Sequence, residues 1–186
     1  MDDRAHEDEN EHVPIDMKKL ADSLSGKLET LPPLSGKCSI YRMVSIGPFH
    51  HGKEELKAME EHKQRYLKCF LQRTKVSMAR FLAFIKEREA ELLSCYAETI
   101  HNLQSDDFVK MVLVDAVFLI EFFLRVYKPD CRTDDDPIFG RSFLYADVRH
   151  EILLLENQLP LFIPNDLFNL AKTTTFETNL YDKFPS

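Results

Sequence analysis

Hydrophobic positions recur at helical spacing along most of the chain, and strict alternation of apolar and polar residues is nearly absent. Apolar residues fall on one side of several amphipathic stretches, namely 15–28, 53–74, 76–103, 106–127, 145–156 and a short stretch from Pro164 to Leu170. A charged patch at 86–91 allows either one long helix or two short ones over 76–103. The breaker-rich segment 128–142 predicts a loop. The pattern therefore predicts an all-α fold: an irregular helical domain of about five helices.

Segment 106–127 is the most apolar of these stretches, but it carries Asp115 and Glu121 six residues apart. A bilayer span needs about 20 mostly apolar residues, and an acid at its centre costs about 2.5–3.5 kcal/mol. We therefore predict a core helix, capped by Ser105 or Asp106. A buried acid must be paired, hydrogen-bonded or protonated. Both acids are thus expected to meet an Arg or a backbone N–H as anchors, with a functional acid as the alternative.

Charge and cysteine usage narrow the class of protein further. The 186 residues include 24 Lys and Arg against 31 Asp and Glu, a net charge of −7, of which residues 1–12 supply −5. We expect a disordered acidic tail at 1–14, a domain at 15–176 and a loose end at 177–186. The acidic balance argues against nucleic-acid partners. The acidic tail has no apolar core of the kind that a secretory signal carries, so we expect a cytoplasmic protein. The four cysteines lack the spacing of metal ligands, and in a reducing compartment we expect them to be free thiols.

Two polar clusters are the main candidates for chemistry. Adjacent side chains of His50 and His51 point apart and His62 lies eleven residues on, so no metal site is predicted. The glycine-bounded turn 47–52 is expected to be structural. The cluster 156–158 either satisfies carbonyls at a helix end or lines a ligand pocket. The sequence carries no GxSxG, Walker or dinucleotide-binding motif. No catalytic, cofactor-binding or metal residue is therefore predicted, and no cofactor.

Three separate stretches together resemble one known family. They read VSIGPFHHGKEELKAMEEHKQRYL at 44–67, DDFVKMVLVDAVFLIEFF at 106–123 and ILLLENQLPLFIPNDLF at 152–168, and residues 15–42 are similar too. They resemble the plant domain of unknown function 247 family, also called the UPF0481 type. The family signature falls on Gly47, Pro48, His50, His51, Gly52, Glu60, Lys63, Tyr66, Asp115, Glu156, Asn157, Gln158 and Pro160. The family has no established catalytic residues, so these positions are expected to be structural.

The resemblance also implies a biological setting. Some grass members of the family are implicated in pollen self-incompatibility, which indicates recognition or signalling. Family members are usually longer, with a second helical half and a hydrophobic C-terminal segment that anchors them in a membrane, the plasma membrane being expected. This chain stops at Ser186 and lacks the Pro-rich segment that normally lies between Arg42 and Met43. We therefore expect a truncated member, a skipped-exon product or an incomplete gene model, without its own spanning segment.

The leading functional hypothesis is a non-enzymatic helical interaction or signalling module with an unknown protein partner. If the chain is truncated, apolar side chains such as Phe118, Phe122 and Phe123 are expected to be exposed and to promote self-association.

Two alternatives belong to other classes. One is an unrecognised hydrolase-like enzyme in which His50, His51 and the cluster 156–158 meet in one cleft. The other is a protein that associates with a membrane through 106–127.

Overall fold

A computed structural model describes residues 13–32, 44–50, 54–74, 76–96, 103–134, 136–154 and 158–175. Within these ranges the α-helices are α1 (Ile15–Glu29), α2 (Lys57–Thr74), α3 (Met78–Glu87), α4 (Glu89–Ser94), α5 (Ser105–Tyr127), α6 (Ser142–Glu151) and α7 (Phe162–Thr175). Short 3-10 helices occupy Pro48–His50, Glu54–Leu56 and Pro129–Cys131. The described ranges contain no strand. The predicted all-α class is confirmed, with more helices than the five expected.

Helix α5 is the centre of the fold. Sixteen of its 23 residues are buried, and it packs against α2, α3 and α7, while α1 pairs with α3. A helix that is apolar nearly all round is stable in water only when other elements cover it. The prediction of a core helix over 106–127 is therefore confirmed.

None of the helices that the structure describes is both long enough and apolar enough to cross a bilayer.

Several helix starts differ from the sequence prediction, among them that of α6, which begins at Ser142 and not at Tyr145. The residue before α5 is Gln104, which makes no side-chain capping bond, so the predicted cap at Ser105 or Asp106 is wrong. Helix α7 was expected to begin at Pro164 with Asn165 or Asp166 as cap, but it begins at Phe162. Proline is tolerated there because the N–H groups of a first turn have no intrahelical acceptor. Ile163, in the added turn of α7, is fully buried, so core packing favours the earlier start of that helix.

The expected exposure of three phenylalanines is only partly right. Phe118 and Phe122 are buried, with exposed fractions of 0% and 2%, whereas Phe123 is 47% exposed. The ring of Phe118 stacks on Tyr66 at a centroid distance of 5.5 Å, and the ring of Phe122 stacks on Tyr145 at 5.9 Å. These two rings belong to the core, and only Phe123 remains available at the surface.

The expectations for the acidic tail and for the end of the chain largely lie outside the described residues. Of the tail, the structure describes only Val13, which is buried, and Pro14, which precedes α1. Segment 177–186 is not among the described residues.

Candidate functional site

A buried lysine joins α2 to α5. The side chains of Lys63 and Asp115 are each 1% exposed and form an ion pair. The Lys63 ammonium also contacts Glu60 Oε1 at 2.6 Å and donates to the Ser45 carbonyl at 2.7 Å, so all three of its donors are used. Burial alone would lower the pKa of Lys63, but the Asp115 and Glu60 carboxylates outweigh it and raise that pKa above its ordinary value. Lys63 is therefore a permanent buried cation.

The second oxygen of Asp115 holds a glycine turn. Asp115 Oδ2 accepts the N–H of Gly47 at 2.8 Å. Gly47 has φ +79°, and a Cβ placed on it would lie 2.9 Å from the carbonyl oxygen of Gln158. Only glycine fits this combination of left-handed backbone and close approach. The three stretches that carry the family resemblance therefore converge here, one contributing Gly47 and Lys63, one Asp115 and one Gln158.

The Tyr96 hydroxyl lies beside this convergence, and sequence reasoning missed it. It would lie 3.5 Å from a Cβ on Gly47, and it is buried without a hydrogen-bond partner among the described residues. Burial, with a smaller contribution from the Asp115 charge, raises the pKa of Tyr96, so the phenol stays protonated. Tyr96 therefore adds a neutral donor to the centre formed by Lys63 and Asp115.

A second buried centre surrounds Glu121, whose side chain is fully buried. Arg73 binds both carboxylate oxygens, with Nη2 at 3.1 Å from Oε2, and Arg125 pairs with Glu121 from one turn further along α5. Arg125 Nε lies 3.3 Å from Asp136 Oδ2, the oxygen that accepts the Tyr66 hydroxyl at 2.8 Å. The expected pairing of the buried acids is confirmed: Glu121 meets arginines, and Asp115 meets a lysine and a backbone N–H.

Asp136 ties the loop after α5 to the core. Its Oδ1 accepts the N–H of Ile138 at 3.0 Å and lies 3.9 Å from His62 Nε2. Burial lowers the pKa of His62 to about 4, outweighing the opposite effect of Asp136. His62 is therefore neutral near pH 7. The sequence placed Asp136 only in a loop, and the i+4 spacing of Arg125 from Glu121 was the one local signal for this centre.

The remaining sequence candidates are only partly described. Pro48 and His50 belong to a short 3-10 helix, and Pro160 precedes α7, whereas His51, Gly52, Glu156, Asn157 and the side chain of His50 lie outside the described residues. The side chain of Gln158 is exposed. Within the described ranges, no group of three or more His, Cys, Asp or Glu side chains is arranged to hold a metal ion.

An apolar groove between α5 and α7 is the third feature, and no sequence pattern predicted it. Its volume is about 570 Å³, and ten residues line it, of which Asn165 is the only amide and none is charged. Phe123 and Tyr127 lie one turn apart on α5, and Leu161 lies at the start of α7. Their exposed fractions are 47%, 78% and 80%. The groove is thus a hollow bordered by large exposed apolar side chains.

The Lys63 ion pair predicts a large effect of removing its charge. Lys63→Met keeps a long, unbranched side chain but leaves Asp115 buried without its cation, so we expect the free energy of unfolding to fall by about 3–5 kcal/mol. Lys68→Met, at an exposed position of the same helix, should change it by less than about 0.5 kcal/mol. Adding Asp115→Asn to Lys63→Met should recover part of the loss. Urea unfolding followed by circular dichroism measures all three, and equal losses for the two lysine variants would contradict the account.

Two glycine-to-alanine substitutions should change the free energy of unfolding in opposite directions. Gly47→Ala combines positive φ with a clash against a backbone carbonyl, so it should lower the free energy of unfolding by about 1–3 kcal/mol. Gly26→Ala lies in α1 with no neighbouring atom within 4 Å of the added Cβ, and it should raise that free energy by about 0.5–1 kcal/mol. Melting temperatures of the two variants test this. A neutral or stabilising Gly47→Ala would show that the turn is not constrained.

His62 predicts a specific pH dependence of stability. Its pKa is about 4 when folded against 6.5 for the free side chain, so the unfolded chain binds the proton more tightly between these values. Stability should therefore fall as the pH drops from about 6.5 to 4, by about 3 kcal/mol from this group, and level off below. His62→Gln should lose this contribution, whereas His150→Gln, at an exposed position of α6, should keep the wild-type slope. Identical slopes for wild type and His62→Gln would refute the assignment.

Comparison with known proteins agrees with the converging motifs. The family model of plant proteins of unknown function, DUF247, matches residues 40–184. The chain is 29% identical over 143 residues to UPF0481 protein At3g47200 of Arabidopsis thaliana, covering 75% of this chain and 29% of the relative. It is 29% identical over 137 residues to putative UPF0481 protein At3g02645 of the same plant, covering 72% and 23%.

The chain therefore matches less than a third of the length of these relatives. No solved structure matches it significantly. The family match spans most of the chain and includes Gly47, Lys63 and Asp115, the residues that meet in the first buried centre. The resemblance stated from the sequence is confirmed: this chain belongs to the DUF247 family of plant proteins of unknown function.

Proposed function

We propose that this chain is a non-enzymatic helical interaction module, acting in the cytoplasm, that binds a protein partner through the groove between α5 and α7. The observation that carries the proposal is the group of exposed apolar side chains around an uncharged hollow, namely Phe123, Tyr127 and Leu161. Contiguous exposed apolar patches on small domains usually mark interaction surfaces. Large aromatic side chains next to a pocket are also the residues that contribute most to protein–protein affinity.

The buried ion pairs support this proposal because they fix the wall that carries the aromatic residues. Asp115 and Glu121 face the interior from α5 and are held by partners on α2. Phe123 and Tyr127 occupy the exposed side of the same helix. A surface that is rigid before binding loses less conformational entropy when the partner docks. The buried ion pairs on one side of α5 thus hold in place the helix whose other side lines the groove.

The family setting supports recognition as well. The sequence resembles a family in which some grass members are implicated in pollen self-incompatibility, a process of cell recognition. A signalling role for this chain is the biological form that we propose for the interaction.

A hydrolase-like enzyme is the second candidate, and one observation favours it. A Cβ on Gly47 would lie 2.9 Å from the Gln158 carbonyl oxygen, and Gly47 precedes His50 by three positions in the sequence, while Gln158 directly follows Glu156 and Asn157. The test is the rate at which the wild-type chain and the double variant His50→Ala/His51→Ala hydrolyse p-nitrophenyl acetate. Hydrolysis by the wild type that the double variant lacks would favour the enzyme. Equal rates for the two chains, at the level of the uncatalysed reaction, would reject it.

A single charge placed in the groove should weaken the binding of a protein partner. Phe123→Asp should weaken the binding of groove partners captured from plant extract at least tenfold, because it places a carboxylate in an apolar contact. Phe143→Asp, at a residue of α6 that is 64% exposed and does not line the groove, should bind as the wild type does. Quantitative capture with tagged chains measures the effect, with circular dichroism to show that both variants fold. The same partners at the same yield for both variants would refute the proposal.

A further inference from the structure

We propose that the occupant of the α5–α7 groove is the same groove of a second copy of this chain, so that the protein forms a two-fold symmetric dimer. The inference rests on the proposed function, since it names the partner of that surface. Three features of the groove carry it: its shape, its lack of charge and the size of its exposed apolar area.

The shape of the groove suits pairing with itself. A two-fold interface uses one patch on both subunits, so the patch must offer both the protrusions and the hollows. Tyr127 on one wall and Leu161 at the start of the other are 78% and 80% exposed beside a hollow of about 570 Å³. When two copies face each other, the exposed side chains of each can enter the hollow of the other. The patch is therefore self-complementary in form.

The absence of charge on the patch also favours a second copy. Near a two-fold axis every charge meets its own copy, so a charged residue there causes repulsion. Homodimer interfaces are more apolar than other protein–protein interfaces, in which complementary charges often orient the partners. The groove lining contains no charged residue, and the nearby Asp166 lies 3.8 Å from Arg88. Two copies can thus approach through this patch without a like-charge penalty from its lining.

The size of the patch sets the strength of the dimer. A fully buried aromatic side chain buries roughly 150–250 Å². The exposed areas of Phe123 and Tyr127 together therefore amount to roughly 200–300 Å² per copy. Leu161 and the rest of the groove lining add to this area. Standard interfaces bury roughly 800 Å² per partner, and weak, transient ones less. The patch therefore fits a weak, reversible dimer and not an obligate one.

Sedimentation equilibrium of the purified chain at about 1–300 μM tests the dimer. The expected result is an average mass that rises from 21.7 kDa towards twice that value with concentration. Tyr127→Glu, at a residue too exposed to affect folding, should weaken association at least tenfold because it places a charge on the paired surfaces. Phe143→Glu, at a residue of α6 that is 64% exposed and lies outside the groove, should associate like the wild type.

Two results would overturn the dimer: a wild-type mass of 21.7 kDa at every concentration, or undiminished association of Tyr127→Glu. The outcome is separable from that of the proposed function. If the wild-type chain is a monomer and the Phe123→Asp variant no longer captures a plant protein that the wild type captures, the dimer is rejected and the interaction module stands. If the wild-type chain is a monomer and Phe123→Asp does not change what is captured, both proposals are rejected.

Discussion

The contact on which the rest of the structure depends is the buried ion pair between Lys63 of α2 and Asp115 of α5. It joins the two helices that pack most extensively. It also fixes the backbone of the segment that precedes α2, because Lys63 donates to the Ser45 carbonyl and Asp115 accepts the Gly47 N–H. Replacing a buried pair with apolar residues often costs little, whereas removing one partner strands a charge and costs several kcal/mol. The pair therefore constrains how α2, α5 and the glycine turn can be arranged, more than it adds net stability.

The second charged centre extends this constraint to the far half of α5. Glu121 is held by Arg73 from α2 and by Arg125 from its own helix, and Asp136 connects Arg125 to the loop after α5. Because α5 is held at its middle by Asp115 and near its C-terminus by Glu121 and Arg125, its exposed side that bears Phe123 has a defined orientation towards α7. The interior polar contacts thus determine the geometry of an apolar surface that they do not touch.

The sequence predicted the features that depend on local order. Hydrophobic periodicity placed α1, α2 and α5 nearly correctly, and the two acids within α5 indicated buried pairing because a single apolar helix cannot solvate them. The partners could not be predicted, since Asp136 and Tyr66 are 70 residues apart in sequence and meet only in the fold. The groove could not be predicted from the sequence either. Phe122 and Phe123 are adjacent and chemically identical, and only tertiary packing buries the first and exposes the second.

Asp115 holds the glycine turn to the core, and hydrogen exchange at the Gly47 amide measures how firmly it does so. This N–H is buried and donates to a buried carboxylate at 2.8 Å. We expect it to exchange only on global unfolding, with protection equal to that of the central amides of α5, and we expect Asp115→Ala to reduce the protection at least a hundredfold relative to those amides. Exchange at the rate of an exposed loop amide in the wild-type chain would show that Asp115 does not hold the turn.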